Sequence, residues 1–259
     1  MRFWQKFTKI VLAFRRPSQN LFGGYAKFCR KGEKMNQADF RCFECKKRLA
    51  LSHHGFCSRC VHLLEKQPYC GHCGMPLLEF SMQCGECLKQ EPKWQRLVRI
   101  AMYQKPLSDW IHRFKFQQQY WLDKPLARLL LLSLKEAKRT HGLQLPEVIM
   151  PVPLYWQRHW WRGYNQATLL ARPLATWLNL PLEETAISRI RATQPQRELT
   201  AKARRHNLQY AFHYAPKKHY ERVALVDDVV TTGSTINAIA RVLQKQGVKE
   251  IQVWTLARA

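Results

Sequence analysis

An α/β fold with a parallel sheet and a small N-terminal metal-binding module is what this sequence predicts, and two observations carry it. Residues 223–256 run apolar segment, amphipathic helix, apolar segment, the pattern of a βαβ unit. Eight of the nine cysteines fall in four C-x-x-C pairs between Cys42 and Cys87. A chain of 259 residues has room for one full domain and one smaller module.

Residues 1–34 carry nine Lys/Arg and one acid and show no turn-bounded periodicity. Lys6 and Lys9 interrupt their apolar part and no small-residue cleavage site follows, so a secretory signal is rejected. The stretch Lys31-Gly32-Glu33-Lys34-Met35 fits a purine-rich coding run ahead of a start. Met35 is therefore read as the biological start, and residues 1–39 as an extension that is untranslated or disordered.

Residues 40–90 hold the pairs Cys42/Cys45, Cys57/Cys60, Cys70/Cys73 and Cys84/Cys87, separated by 11, 9 and 10 residues. Each C-x-x-C turn offers two thiolates to one ion, and two turns complete a tetrahedral Cys₄ site. Sequential pairing gives a double zinc ribbon, with Cys42, Cys45, Cys57 and Cys60 on one ion and Cys70, Cys73, Cys84 and Cys87 on the other. No coordination position is left open, so the role is structural. An iron–sulfur cluster is the alternative occupant, and His53, His54, His62 and His72 are weighed as substitute ligands and set aside. Such usage excludes a disulfide framework and places the protein in a reducing compartment, the cytoplasm.

From Trp94 the texture changes, and residues 94–140 read as a hood or helical segment. Leu97–Tyr103 is an apolar stretch, and Leu126–Leu134 is apolar nearly all round, hence a buried helix. Residues 141–259 read as the core. Val148-Ile149-Met150, ending in Pro151-Val152-Pro153, is a buried parallel strand entering a rigid loop. Asn165–Leu178 puts Ala167, Leu170, Ala171, Leu174, Trp177 and Leu178 on one helical face, with Pro173 expected to kink it. Residues 189–213 are polar, basic and loop-like. Val223–Val226 is a buried strand. Ile236, Ile239, Ala240 and Leu243 mark a helix face closed by Gly247, and Ile251–Leu256 is the next strand. No apolar run reaches the length of a membrane-spanning helix.

Charge is the unusual property. The chain has 43 Lys+Arg against 18 Asp+Glu, a formal net of +25, and residues 35–259 alone keep +17. A balance of this kind concentrates polyanions and favours nucleic acid as partner, against the alternative of a generically basic soluble surface. Trp94, Tyr103, Trp110, Phe114, Phe116, Tyr120 and Trp121 are interleaved with Arg96, Arg99, Lys105, Arg113 and Lys115. Trp156, Trp160 and Trp161 sit among Arg158, His159 and Arg162. Rings and cations together are the parts of a single-stranded DNA surface. The competing reading, favoured for Trp110, Phe114 and Trp121, is that these aromatics are core.

The run Asp227-Asp228-Val229-Val230-Thr231-Thr232-Gly233-Ser234-Thr235 carries the chemistry. It leads from a strand into a helix N-terminus, where backbone N–H groups converge and the helix dipole favours an anion. Gly233 permits close approach, and the Thr and Ser hydroxyls donate to phosphate oxygens. Carboxylates do not suit phosphate; they suit vicinal ribose hydroxyls or a magnesium shell. An anion site flanked by hydroxyl acceptors describes a ribose 5-phosphate. The plainer alternative is an N-capped helix after a strand.

On these residues the run Val223–Thr235 resembles the phosphoribosylpyrophosphate motif of type I phosphoribosyltransferases. The rest of the chain resembles the ComF/GntX family of competence and DNA-utilisation proteins. The matching segments are Pro151-Val152-Pro153-Leu154, Arg158, Arg162-Gly163-Tyr164-Asn165-Gln166, Arg191-Ala192-Thr193-Gln194-Pro195-Gln196, Leu199, Arg204-Arg205-His206-Asn207 and Ala211-Phe212. Coverage runs over residues 40–259; Tyr164 departs from the usual Phe, and Pro173 interrupts a helix. The resemblance implies that Asp227 and Asp228, the candidate catalytic residues, hold the ribose hydroxyls with Mg²⁺. It implies that Thr231–Thr235 cradles the 5-phosphate of phosphoribosylpyrophosphate (PRPP), and that the pyrophosphate faces Arg158, Arg162, Asn165, Gln166, Arg191, Arg204 and Arg205. It also links the group to natural transformation and DNA uptake, with competence or DNA-processing proteins as partners. Two readings stay open: a PRPP-binding factor that handles incoming single-stranded DNA, and an active phosphoribosyltransferase of the amidophosphoribosyltransferase kind.

Overall fold

The computed structural model describes residues 40–50, 55–154, 163–190 and 211–259. In chain order the elements are α1 (Ser58–His62), α2 (Gly85–Lys89), β1 (Arg96–Met102), α3 (Leu107–Phe116), a 3₁₀ turn (Tyr120–Leu122), α4 (Asp123–His141), β2 (Val148–Pro151), α5 (Gln166–Leu178), β3 (Ile187–Arg189), β4 (Phe212–Tyr214), β5 (Arg222–Val230), α6 (Ser234–Lys245) and β6 (Glu250–Arg258). Four strands form one sheet in the order β1-β6-β5-β2, and every neighbouring pair is parallel. Strands β3 and β4 make a separate antiparallel pair.

The parallel sheet is covered on both faces, which is why its strands are continuous apolar runs rather than alternating ones. Val98, Ile149, Ala224, Val226, Trp254 and Leu256 pack with α3, α4 and α5 on one side. The intervening Leu97, Val148, Met150, Val223, Leu225, Ile251 and Val253 pack with α6 and the β3–β4 pair on the other. The period-2 alternation of side chains thus divides one sheet between two apolar layers.

Helix α4 buries Leu126, Ala127, Leu129, Leu130 and Leu134 and ends at Gly142, whose φ of +61° is the left-handed C-cap conformation. Helix α5 starts at Asn165, whose side chain accepts from the Ala167 N–H, and buries Ala167, Leu170, Ala171 and Leu174. Trp177 departs from the expected face: it is exposed, and Ala175 is buried in its stead. Helix α6 buries Ile236, Ile239, Ala240 and Leu243, and Gly247 follows with φ +90°. Among the described residues no helix is long and apolar enough to cross a membrane.

Two differences from the sequence reading matter for the site. Strand β5 continues past Val226 through both acids to Val230, so Asp227–Val230 are strand rather than loop. Pairing with β6 over its whole length carries it on, Asp227 lying opposite Thr255 and Val230 opposite Arg258. The 94–140 segment is not separate from the sheet: its Arg96–Met102 is edge strand β1, in register with Gln252–Arg258 of β6.

Candidate functional site

All four parallel strands point their carboxyl ends the same way, and in open α/β sheets ligands sit at that edge. Asp227 and Asp228 stand in the last four residues of β5. Asp227 Oδ1 accepts from the Asp228 backbone N–H at 2.8 Å. Asp228 is 8 % exposed, and its backbone carbonyl accepts from Thr255 Oγ1 at 3.1 Å. Burial, and then the Asp228 charge alongside, push the Asp227 carboxyl up to about 7, against the pull of Lys115. Lys115, near the end of α3, places Nζ 2.8 Å from Asp228 Oδ1 with both side chains largely buried. No spacing in the sequence marks Lys115 as part of this site.

Beyond β5 the chain turns through Thr231, Thr232 and Gly233 into α6. Asp227, Val229 and every residue from Val230 to Ile236 line one depression. Gly233 has φ +72°, and a Cβ there would lie 2.5 Å from Cη2 of Trp94, so both conformation and space require glycine. The Thr232 and Ser234 hydroxyls are 2.8 Å apart, and the Ser234 N–H points to Thr232 Oγ1 at 3.3 Å. The N-cap residue of α6 is Gly233, which has no side chain to offer the helix's first N–H groups. Its first N–H groups, two hydroxyls and a carboxyl edge therefore meet in one hollow, a set that suits an anion next to a hydroxyl-bearing ring.

The cysteines form two groups, Cys42/Cys45/Cys57/Cys60 and Cys70/Cys73/Cys84/Cys87, in each of which the sulfurs all lie within 4.8 Å of one another. Sulfur pairs Cys45–Cys57, Cys73–Cys84, Cys84–Cys87 and Cys70–Cys87 are 3.6, 3.6, 3.7 and 3.8 Å apart. A tetrahedron with Zn–S bonds of about 2.3 Å has edges of about 3.8 Å, so both groups can hold zinc. The pairing is the sequential one expected. His62 and His72 stay outside both groups; the imidazole of His72 instead donates from Nε2 to the Trp94 carbonyl. His53 and His54 lie outside the described residues.

The family described as "Phosphoribosyl transferase domain" matches residues 165–259, which span α5, β5, the Thr231–Gly233 turn, α6 and β6. Competence protein F of Haemophilus influenzae is 54 % identical over 228 residues, 87 % of this chain and 100 % of that protein. The DNA utilization protein YhgH of Escherichia coli K12 is 44 % identical over 218 residues, 84 % of this chain and 96 % of that one. Competence protein ComFC of Streptococcus pneumoniae is 26 % identical over 209 residues, 78 % of this chain and 87 % of that one. The chain belongs to the ComF family.

Of the residues that the ComF resemblance assigns to the pyrophosphate, Asn165 and Gln166 reach the same edge of the sheet. Asn165 Nδ2 donates to the Val152 carbonyl at 3.1 Å, and the Val152 N–H donates to the Val226 carbonyl at 2.9 Å. Asn165 is thus occupied as the cap of α5, and Gln166 is 1 % exposed. Arg158, Arg162, Arg191, Arg204 and Arg205 lie outside the described residues, as do Trp156, Trp160 and Trp161.

The expected ring-and-cation surface over residues 94–121 is mostly turned inward. Arg99 is buried, its guanidinium 4.6 Å over the Tyr69 ring and its Nε donating to the Gly74 carbonyl at 2.8 Å. Arg96 donates to the His141 carbonyl at 2.7 Å, and Arg113 pairs with Glu44. Trp94, Trp110 and Phe114 are core, whereas Trp121, read as core, is 39 % exposed beside the exposed Phe116 and Tyr120. Ring pairs Tyr120–Trp121 at 5.3 Å and Tyr120–Tyr164 at 6.4 Å keep this aromatic group next to the segment that enters α5.

Proposed function

We propose that this protein is a cytoplasmic competence or DNA-utilisation factor that binds Mg²⁺-PRPP and handles incoming single-stranded DNA. The observation that carries the ligand assignment is the adjacency of Asp227, near the end of β5, to the N-terminus of α6 in one depression. In this reading the carboxylates hold the ribose hydroxyls and Mg²⁺, and Thr231–Thr235 holds the 5-phosphate. The metal, when bound with PRPP, neutralises charge on the pyrophosphate. Residues 40–90 form the double zinc ribbon, and residues 141–259 carry the phosphoribosyltransferase-like core. The names of the relatives, Competence protein F and DNA utilization protein YhgH, support the DNA role. So do the net charge, which is still +17 over residues 35–259, and the exposed rings of Phe116, Tyr120 and Trp121, onto which bases can stack.

Calorimetry with Mg²⁺-PRPP and with a single-stranded oligonucleotide tests both parts. Binding of PRPP by the wild type and its loss in Asp227→Ala/Asp228→Ala is the expected result. No PRPP heat at any Mg²⁺ concentration overturns the ligand, and no oligonucleotide binding at low salt overturns the DNA role.

A second reading is turnover as a phosphoribosyltransferase, favoured by the match of residues 165–259 to the phosphoribosyl transferase domain family. Mg²⁺-dependent pyrophosphate release across a panel of bases and amines supports it; silence across that panel removes it.

A further inference from the structure

The second cysteine cluster is joined to the Thr231–Gly233 turn by two separate links, and neither is part of the ligand site itself. The first runs through Trp94. Its indole is the surface on which Gly233 rests, at a distance that excludes even a methyl group. Its Nε1–H donates to the His72 carbonyl at 2.7 Å, and the Trp94 carbonyl accepts from the His72 imidazole. His72 is one of the two residues between Cys70 and Cys73, so the indole is held by the metal-binding turn at both its side chain and its backbone. The preceding residue continues this link along α6. The Lys93 N–H donates to Asn237 Oδ1 at 2.8 Å, and the Lys93 carbonyl accepts from Gln244 Nε2 at 3.0 Å.

The second link runs through Arg258, the last residue of β6. Its Nε donates to the Cys73 carbonyl at 3.0 Å. Its Nη1 donates to the Val230 carbonyl at 3.3 Å and to the Thr231 carbonyl. One guanidinium therefore ties a metal-binding turn to the first residue of the phosphate turn, using the rigid fork that suits arginine to several acceptors at once. The first cysteine cluster makes a different attachment: Phe56, next to Cys57, stacks on Trp110 of α3 with ring centroids 4.0 Å apart.

We propose that Trp94 and Arg258 are positioning residues that hold the 231–236 segment in its binding form by anchoring it to the second cysteine cluster. Filling of that cluster thereby sets the affinity of the segment for a 5-phosphate. The physical basis is preorganisation. An anion hollow built from backbone N–H groups binds only when those groups already converge, and free energy spent on ordering them is lost from affinity. With the cluster empty, the turn at Cys70–Cys73 loses what fixes it, and Trp94 and Arg258 lose their outer anchors together. The affinity statement rests on the PRPP reading above; the statement about loop order does not.

The test measures the two separately on the full chain. Hydrogen exchange of the amides from Asn237 to Ala240, the first of which bonds to the Gly233 carbonyl at 2.8 Å, reports order in the first turn of α6. Trp94→Ala, Arg258→Gln and Cys84→Ser are each expected to speed that exchange about tenfold, equivalent to about 1.4 kcal/mol. Trp94→Phe, which keeps a ring under Gly233 and loses only the N–H, should fall between. Cys45→Ser, in the first cluster, should leave these amides at their wild-type rate. Calorimetry with PRPP and Mg²⁺ on the same proteins should show affinity falling in the same order. Zinc content and protection of the β5 and β6 amides identify any variant that has simply unfolded, in which case Trp94→Phe and Arg258→Gln decide. Unchanged exchange in zinc-replete, folded Trp94→Ala and Arg258→Gln overturns the proposal. Faster exchange in a protein whose wild type ignores PRPP upholds the coupling and removes the ligand.

Discussion

Lys115 Nζ lies 2.8 Å from Asp228 Oδ1, joining a helix on one layer of the fold to the strand that carries the acidic pair. Two adjacent carboxylates, one of them buried, would repel without a cation between the layers. Replacing Lys115 by Met should therefore cost about 3 kcal/mol at pH 8, the order expected when one partner of a buried pair is removed. At pH 5 the loss should shrink, because Asp227, raised to about 7, is already protonated there. Denaturant unfolding at the two pH values checks it; equal losses at both contradict the electrostatic account.

Asp227 gives a second pH dependence, with opposite consequences for stability and binding. Its folded value of about 7 stands above the 3.8 of an ordinary carboxyl, so ionisation opposes folding. That cost is absent below about pH 4, grows as pH rises toward 7 and is constant above it. Asp227→Asn should accordingly be more stable than wild type at pH 8, by about 2–4 kcal/mol after the discount for solvent screening, and indistinguishable at pH 4.

Binding should move the other way. A ligand that requires ionised Asp227 must expel its proton below pH 7, so PRPP affinity should fall about tenfold per pH unit from 7 to 5. Calorimetry in buffers of different ionisation enthalpy should register release of about one proton near pH 6. A flat pH profile is the contrary outcome.

Trp110 is the anchor of the first cysteine cluster. Its ring stacks on Phe56, and its Nε1 donates to Glu44 Oε2 at 2.8 Å. Trp110→Ala should cost about 4 kcal/mol, the usual range for a buried large aromatic. It should also speed zinc loss from the Cys42/Cys45/Cys57/Cys60 group in a chelator competition, while Trp110→Phe should restore most of the retention.

Metal content offers a direct count. Purified protein should carry two zinc ions per chain, and Cys45→Ser or Cys84→Ser should each reduce that to about one. Structural zinc of this kind is worth about 10 kcal/mol or more, so chelation should unfold the ribbons well before the sheet. Elemental analysis with thermal unfolding measures both.

The parts legible in the sequence were those whose signal is local. The four C-x-x-C pairs, the apolar run Val223–Val226, the α6 face and Gly247 each announce themselves within a few residues. The parts missed depend on partners far along the chain. Two acids argue against a strand at 227–228 on propensity alone, and pairing with β6 overrides that. Leu97–Tyr103 was visibly apolar, but its partner strand begins at Glu250. Trp110 and Phe114 are four apart on α3 and share its buried face, whereas nothing local tells Trp94 from an exposed stacking ring. Its role becomes readable only when Gly233 is placed against it.

The strand order has a consequence for how the protein is made. Strand β6 sits between β1 and β5, so until residues 250–258 have left the ribosome β1 has no strand partner and β5 is paired only on its β2 side. During synthesis two bare edges of apolar backbone must be kept from pairing with other chains. A released chain truncated after residue 249 should bind chaperones strongly and be cleaved readily, and restoring residues 250–259 should end both together.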